Sequence, residues 1–127
     1  CLVHGMSRPI GGNFHVAHGL SNAMLLPAVT RFSVSGAEDR YAECARQLGA
    51  AAAGDDDSVA AAQLVTYLEQ LCADVEVPTP SSHGIDRAEW DRLIPTMAQQ
   101  ALASGSPNNN PVVPTAEQIE DLYREVF

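Results

Sequence analysis

Basic side chains are scarce in this chain: lysine and arginine together number seven of 127 residues, against 16 aspartates and glutamates, for a formal net charge of −9. Phosphate polymers and anionic membrane surfaces repel such a balance, which excludes broad affinity for nucleic acid or lipid headgroups. Long apolar runs are missing as well. Stretches such as Met24 to Val29 and Val59 to Ala62 fall far short of a bilayer, and no basic segment leading into an apolar run marks a targeting signal. Paired cysteines are also lacking. Cys1, Cys44 and Cys72 are odd in number, widely spaced and outside any CxxC, so they read as reduced thiols of a cytoplasmic protein, with neither disulfide nor zinc knuckle. No stretch alternates with period two for long enough to make a sheet, and no internal repeat is visible.

What is present is a globular composition, 46% hydrophobic, on a chain long enough for one ordinary core. Its periodicity is helical. Residues 17 to 32 carry Leu20, Ala23, Met24, Leu26 and Val29 at helical spacing, with Pro27 as a bend. Ala37 to Leu48 forms a second stripe that Gly49 stops. A third helix follows the acidic "GDDDS", whose carboxylates suit a helix start, and repeats Val59, Ala62, Val65, Leu68 and Cys72 until "VPTPSSHG" breaks it. From Ile85 the pattern resumes through Trp90, Leu93, Ile94, Met97 and Ala101, as one helix kinked at Pro95 or as two short ones. "SGSPNNNPVVP" reads as an ordered loop, and Thr115 with Gln118 forms a capping box ahead of Ile119, Leu122, Tyr123 and Val126. The expected class is all-α. Trp90 is assigned to the core, and His83 before Gly84 to a turn.

The stretch "HGMSRPIGGNFHVAHG", residues 4 to 19, holds the chemistry. In an unbroken helix His4 and His18 would lie about 21 Å apart, whereas ligands of one ion have donors roughly 3 Å apart. Pro9, Gly11 and Gly12 lie between them, and the sequence predicts a helix break there that makes a shared site feasible. His15 and His18, three apart, are a local rival pair if their segment is helical. Spacing leaves both pairings open, and histidines satisfied by carbonyls or water remain a third reading. The next acid along the chain is Glu38, so further ligands are expected from outside it. The glycines follow no strand and mark a chain break, not a pyrophosphate cradle.

"LVHGMSRPIGGNFHVAHGLSNAMLLPAVTRF" resembles the second metal-binding stretch of the iron-containing, or group III, alcohol dehydrogenases, and the likeness continues through "RYAECARQLG" and "ASGSPNNNPVVPTAEQIEDLYREVF". His4, the fourteen-residue step to His18, then Gly19, Asn22 and Pro27 are its specific part. The resemblance implies that residues 1–127 are part of the C-terminal helical, bundle-like domain of a dehydroquinate synthase-like two-domain enzyme. It places the nicotinamide-binding domain, and an Asp and a His that complete the metal site, outside this sequence. The chain also opens on "CLVHGM", an apolar run already in progress, which predicts a piece of a longer protein; the covers of Met24, Leu25 and Leu26 are then expected to be missing.

His4 and His18 are the metal ligands that the resemblance implies, holding a divalent ion, Fe2+ or else Zn2+. That ion would polarise the oxygen of a small alcohol, aldehyde or ketone as hydride passes to or from NAD or NADP. The full-length protein is expected to be a homo-oligomer. Many family members carry a further His four positions after the first of these ligands; this chain has Arg8, which stays protonated and suits an acidic substrate or a cofactor phosphate better than proton transfer. The rival role for Arg8 is a helix-terminal ion pair. His15 is a candidate contact in the same cleft. Maleylacetate reductases and glycerol dehydrogenases are sister expectations within the enzyme class, and a helical binding or assembly module with structural histidines is the expectation outside it.

Overall fold

The computed structural model describes all 127 residues and contains six α-helices: α1 (Leu2–Phe14), α2 (His18–Ser33), α3 (Glu38–Gln47), α4 (Asp57–Asp74), α5 (Arg87–Ala103) and α6 (Ala116–Glu125). Short 3-10 turns follow α2, at Val34–Gly36, and α5, at Ser106–Asn109. There is no strand, as the periodicity predicts. The capping box forms, with the Thr115 hydroxyl accepting from the Gln118 amide and the Gln118 side chain accepting from the Thr115 amide. Gly49 ends α3 with a φ of 73°, where a side chain would be strained. Helix α5 runs unbroken through Pro95, so a single helix is realised.

One core holds the bundle together. Leu2, Met6 and Ile10 of α1 recur every fourth residue and meet Leu25 of α2, Trp90, Ile94 and Met97 of α5, and Ile119 and Tyr123 of α6. A small second cluster, Ala42, Ala45, Ala60 and Leu64, joins α3 to α4, where Arg46 reaches Asp57 at 2.6 Å. Arg31 of α2 pairs with Glu69 of α4 and Glu125 of α6, half-exposed contacts that add at most about 1 kcal/mol each. Met24 and Leu25 are covered by the chain's own helices, and Leu26 alone of that trio is exposed. The expectation of missing covers is thus corrected: α2 packs chiefly against α1 and α4, with α6 alongside.

The predicted break at Pro9 to Gly12 is also corrected. Helix α1 continues through Pro9, Gly11 and Gly12 and ends only after Phe14. A proline inside a helix costs about 3 kcal/mol and each glycine about 1 kcal/mol relative to alanine. Complete burial of Leu2, Met6 and Ile10 returns roughly 1.5–3 kcal/mol apiece and prevails. The reversal falls instead at His15, Val16 and Ala17, with His15 in the left-handed region at φ 56° and ψ 27°.

Two buried hydrogen bonds tie α6 to the rest of the core. The Trp90 indole donates to the Tyr123 carbonyl at 3.0 Å, and the Tyr123 hydroxyl donates to the Met6 carbonyl at 2.7 Å. Burial drives the Tyr123 pKa upward, keeping that donor protonated. Tyr123→Phe should therefore lower stability by about 1 kcal/mol, read as an earlier denaturation midpoint at constant slope. An unchanged midpoint would show that the hydroxyl adds nothing.

Candidate metal centre

His4 lies in the first turn of α1, and His18 is the first residue of α2. The reversal after Phe14 sets the two helix ends side by side and brings the imidazoles to a centroid separation of 5.3 Å, tilted by 52°. Both side chains are exposed, on the same edge of the bundle. Gly11 contributes space: a Cβ there would stand 3.2 Å from the Val16 carbonyl oxygen, so its lack of a side chain lets the returning strand of backbone cross close to α1.

This spacing is what two ligands of one ion require. A metal–nitrogen bond of about 2.1 Å, with roughly 1.1 Å from nitrogen to ring centre, puts two imidazole centroids about 5 Å apart at a tetrahedral angle. The donor set therefore fits half of a divalent metal site. The other half is not supplied here, because no three His, Cys, Asp or Glu side chains of the chain converge. Two imidazole donors would bring no negative charge to a divalent cation, so an anionic ligand would have to come from another segment.

Contacts around the rings discriminate between their nitrogens. His4 Nδ1 lies 3.5 Å from the Cys1 Sγ. His18 Nδ1 lies 3.5 Å from the Ser7 Oγ, and its Nε2 lies 3.1 Å from the Asn22 side-chain nitrogen. Sequence reasoning missed Ser7 and left Asn22 without a role. The signal was the interval of three between His4 and Ser7, and of four between His18 and Asn22, each a helical neighbour.

The remaining candidates sit apart from the pair. His15 is exposed at the end of α1, where its backbone amide bonds to the Gly11 carbonyl at 3.0 Å. Residues 15–17, between the two helices, are not helical, so the one-face argument for His15 and His18 lapses, and the ring facing His18 is that of His4. Arg8, one turn after His4, pairs with no carboxylate; its guanidinium donates to the Ser106 hydroxyl at 3.4 Å. It borders an open polar cleft of about 360 Å³ shared with Gly12, Asn13, Gln100 and Ser104. Trp90 is fully buried, His83 occupies a turn, and the acids of "GDDDS" lie at the start of α4 as expected. All three cysteines are free; burial pushes the Cys72 thiol up from its ordinary pKa.

The chain is a helical bundle whose first two helices present paired histidines, and comparison with known proteins gives its family. The model of the Fe-containing alcohol dehydrogenase family, C-terminal, matches residues 1–127, and the chain belongs to that family. It is 35% identical to 1-propanol dehydrogenase PduQ of Salmonella typhimurium over 99% of its own length and 35% of that protein's. Identity to lactaldehyde reductase of Escherichia coli K12 is 34%, covering 99% of this chain and 32% of the relative. Among solved structures, a 1,3-propanediol oxidoreductase superposes with a TM-score of 0.90 at 28% identity, and an alcohol dehydrogenase from Oenococcus oeni with 0.87 at 29%. These alignments cover 99% and 98% of this chain and 32% of each of those chains. The chain thus spans about a third of the length of the relatives it matches. No helix is long and apolar enough to cross a membrane.

Proposed function

We propose that this chain is the metal-holding portion of the C-terminal domain of a metal-dependent, nicotinamide-linked alcohol dehydrogenase, with His4 and His18 as ligands of one divalent ion. The observation that carries this reading is the 5.3 Å pairing of two imidazoles from different helices. In the whole enzyme, which has the dehydroquinate synthase-like two-domain arrangement, a nicotinamide-binding domain and the remaining ligands come from other segments. The ion is Fe2+, with Zn2+ the alternative, and the coenzyme is NAD or NADP. The names of the relatives, 1-propanol dehydrogenase, 1,3-propanediol dehydrogenase and lactaldehyde reductase, support a small alcohol and its aldehyde or ketone, and mention neither maleylacetate nor glycerol. We further assign the enzyme to the cytoplasm as a homo-oligomer, without nucleic-acid or membrane partners; the charge of −9 and the three free thiols support the location and the excluded partners.

When bound, the ion supplies Lewis acidity at the substrate oxygen during hydride exchange with the nicotinamide. His4 and His18 serve as neutral donors on two rigid helix ends, which fixes the separation of their nitrogens before loading. Arg8 remains a cation and has no carboxylate to neutralise it, so it anchors an anionic group of the substrate or coenzyme and transfers no proton. His15, at the end of α1, is a further contact for whatever occupies that edge.

The test is metal per subunit after exhaustive dialysis of the full-length protein. His4→Ala and His18→Ala should each lose most of the metal and activity, and His15→Ala should keep near-normal metal content. Full occupancy in His4→Ala, or near-complete loss in His15→Ala, would overturn the assignment. For Arg8→Gln, the KM of whichever reactant carries the anionic group should rise about tenfold or more, since hydrogen bonds to charged groups contribute about 1.5–3 kcal/mol, with metal content unchanged. An unchanged KM for both substrate and coenzyme would remove Arg8 from the binding surface.

A further inference from the structure

Ser7 is fully buried in the interior of α1, eleven residues before His18 in sequence but next to it in space. A serine within a helix commonly donates to a carbonyl one turn back, and Ser7 does so, its hydroxyl reaching the His4 carbonyl at 3.3 Å. A hydroxyl has a single proton, so with that proton directed to His4 the oxygen can only accept. The ring nitrogen that faces it is His18 Nδ1, at 3.5 Å. An oxygen in this state is matched only by a protonated Nδ1.

Asn22 reports the same proton from the other side of the ring. Its side-chain nitrogen, a donor, lies 3.1 Å from His18 Nε2, which must then present a lone pair. The Asn22 carbonyl oxygen is buried without a partner. Turning the amide over to suit the opposite tautomer would place two N–H donors where one acceptor now sits, a larger desolvation cost. The two contacts, made from separate helices, agree on Nδ1–H and a free Nε2 lone pair.

We infer that Ser7 is a positioning residue for the metal centre: by accepting from His18 Nδ1 it holds the imidazole in the tautomer whose Nε2 lone pair faces the ion. This rests on the metal-centre reading above. Asn22 holds that lone pair while no cation does, and loading exchanges the amide for the metal. Ligating histidines generally need such a partner on the second nitrogen, and its loss weakens metal affinity about 10–100-fold.

The test uses the full-length protein, stripped of metal, with nitrogen-15 in its histidines. Proton–nitrogen correlation spectra at a pH about two units above the ordinary imidazole pKa report the tautomer, and His18→Ala assigns the His18 signals. The parent should show Nδ1–H at His18, and Ser7→Ala, which removes one oxygen and favours the helix, should show a substantial Nε2–H fraction. Titration with Zn2+ alone should then give a dissociation constant about 10–100-fold weaker in Ser7→Ala. An unmoved tautomer, or zinc affinity within twofold of the parent, overturns the role of Ser7. Weakened zinc binding in His18→Ala beside an unaltered Ser7→Ala rejects Ser7 and spares the metal centre. Parent-like zinc affinity in His18→Ala rejects the metal centre and the Ser7 assignment with it.

Discussion

Two imidazoles that begin fourteen residues apart meet because the chain reverses within His15, Val16 and Ala17. The reversal needs one residue in the left-handed region, and a histidine takes that place at a cost of about 1–2 kcal/mol. Burial of Val16 on the core, with the His15 amide bonded to the Gly11 carbonyl, offsets the strain. Gly11 completes the device by leaving room for the Val16 carbonyl. A longer or looser connection would let α2 start elsewhere, and His18 would no longer face His4.

A short reversal fixes only one end of the geometry. The turn of α1 that carries His4 is held from both sides by buried polar side chains. Asn110 accepts from the Leu2 amide at 3.3 Å, while its own amide donates to the Ser33 hydroxyl at 2.8 Å and the Val112 carbonyl at 2.9 Å. The Tyr123 hydroxyl takes the Met6 carbonyl two residues beyond His4. The loop after α5 and the last helix therefore act on the His4 turn without touching the histidine pair. Their polar groups are satisfied, so they fix the register of α1 and leave no buried donor to destabilise it.

The helices were legible from their stripes because burial, capping and punctuation point the same way in most of them. Thr115 with Gln118, Gly49, and the apolar interval from Trp90 to Ala101 each carry a local signal that the packing keeps. The break between the histidines was misplaced for the opposite reason. Pro9, Gly11 and Gly12 signal an ending in isolation, yet the face made by Leu2, Met6 and Ile10 outweighs them, and a histidine, not a glycine, makes the turn. Spacing left the pairing of His4 with His18 open; the fourteen-residue step shared with the family favoured it, together with a break at Pro9 to Gly12 that the fold places at residues 15–17 instead. Ser7 went unread because its interval of three from His4 makes it a helical neighbour only if residues 4–7 belong to a helix, which the expected break at Pro9 to Gly12 obscured.

Charge limits what this histidine pair could hold. Two imidazoles would leave a divalent charge uncompensated, and several acids of the chain are paired elsewhere: Asp57 with Arg46, Glu69 and Glu125 with Arg31, Glu120 and Asp121 with Arg124. No three His, Cys, Asp or Glu side chains converge at the histidine pair, so a cation held on that edge would need an anionic ligand from another segment. On the reading proposed above, two rings set at their separation by the reversal, with Ser7 accepting from His18 Nδ1, would offer their lone pairs to an ion once that ligand is supplied.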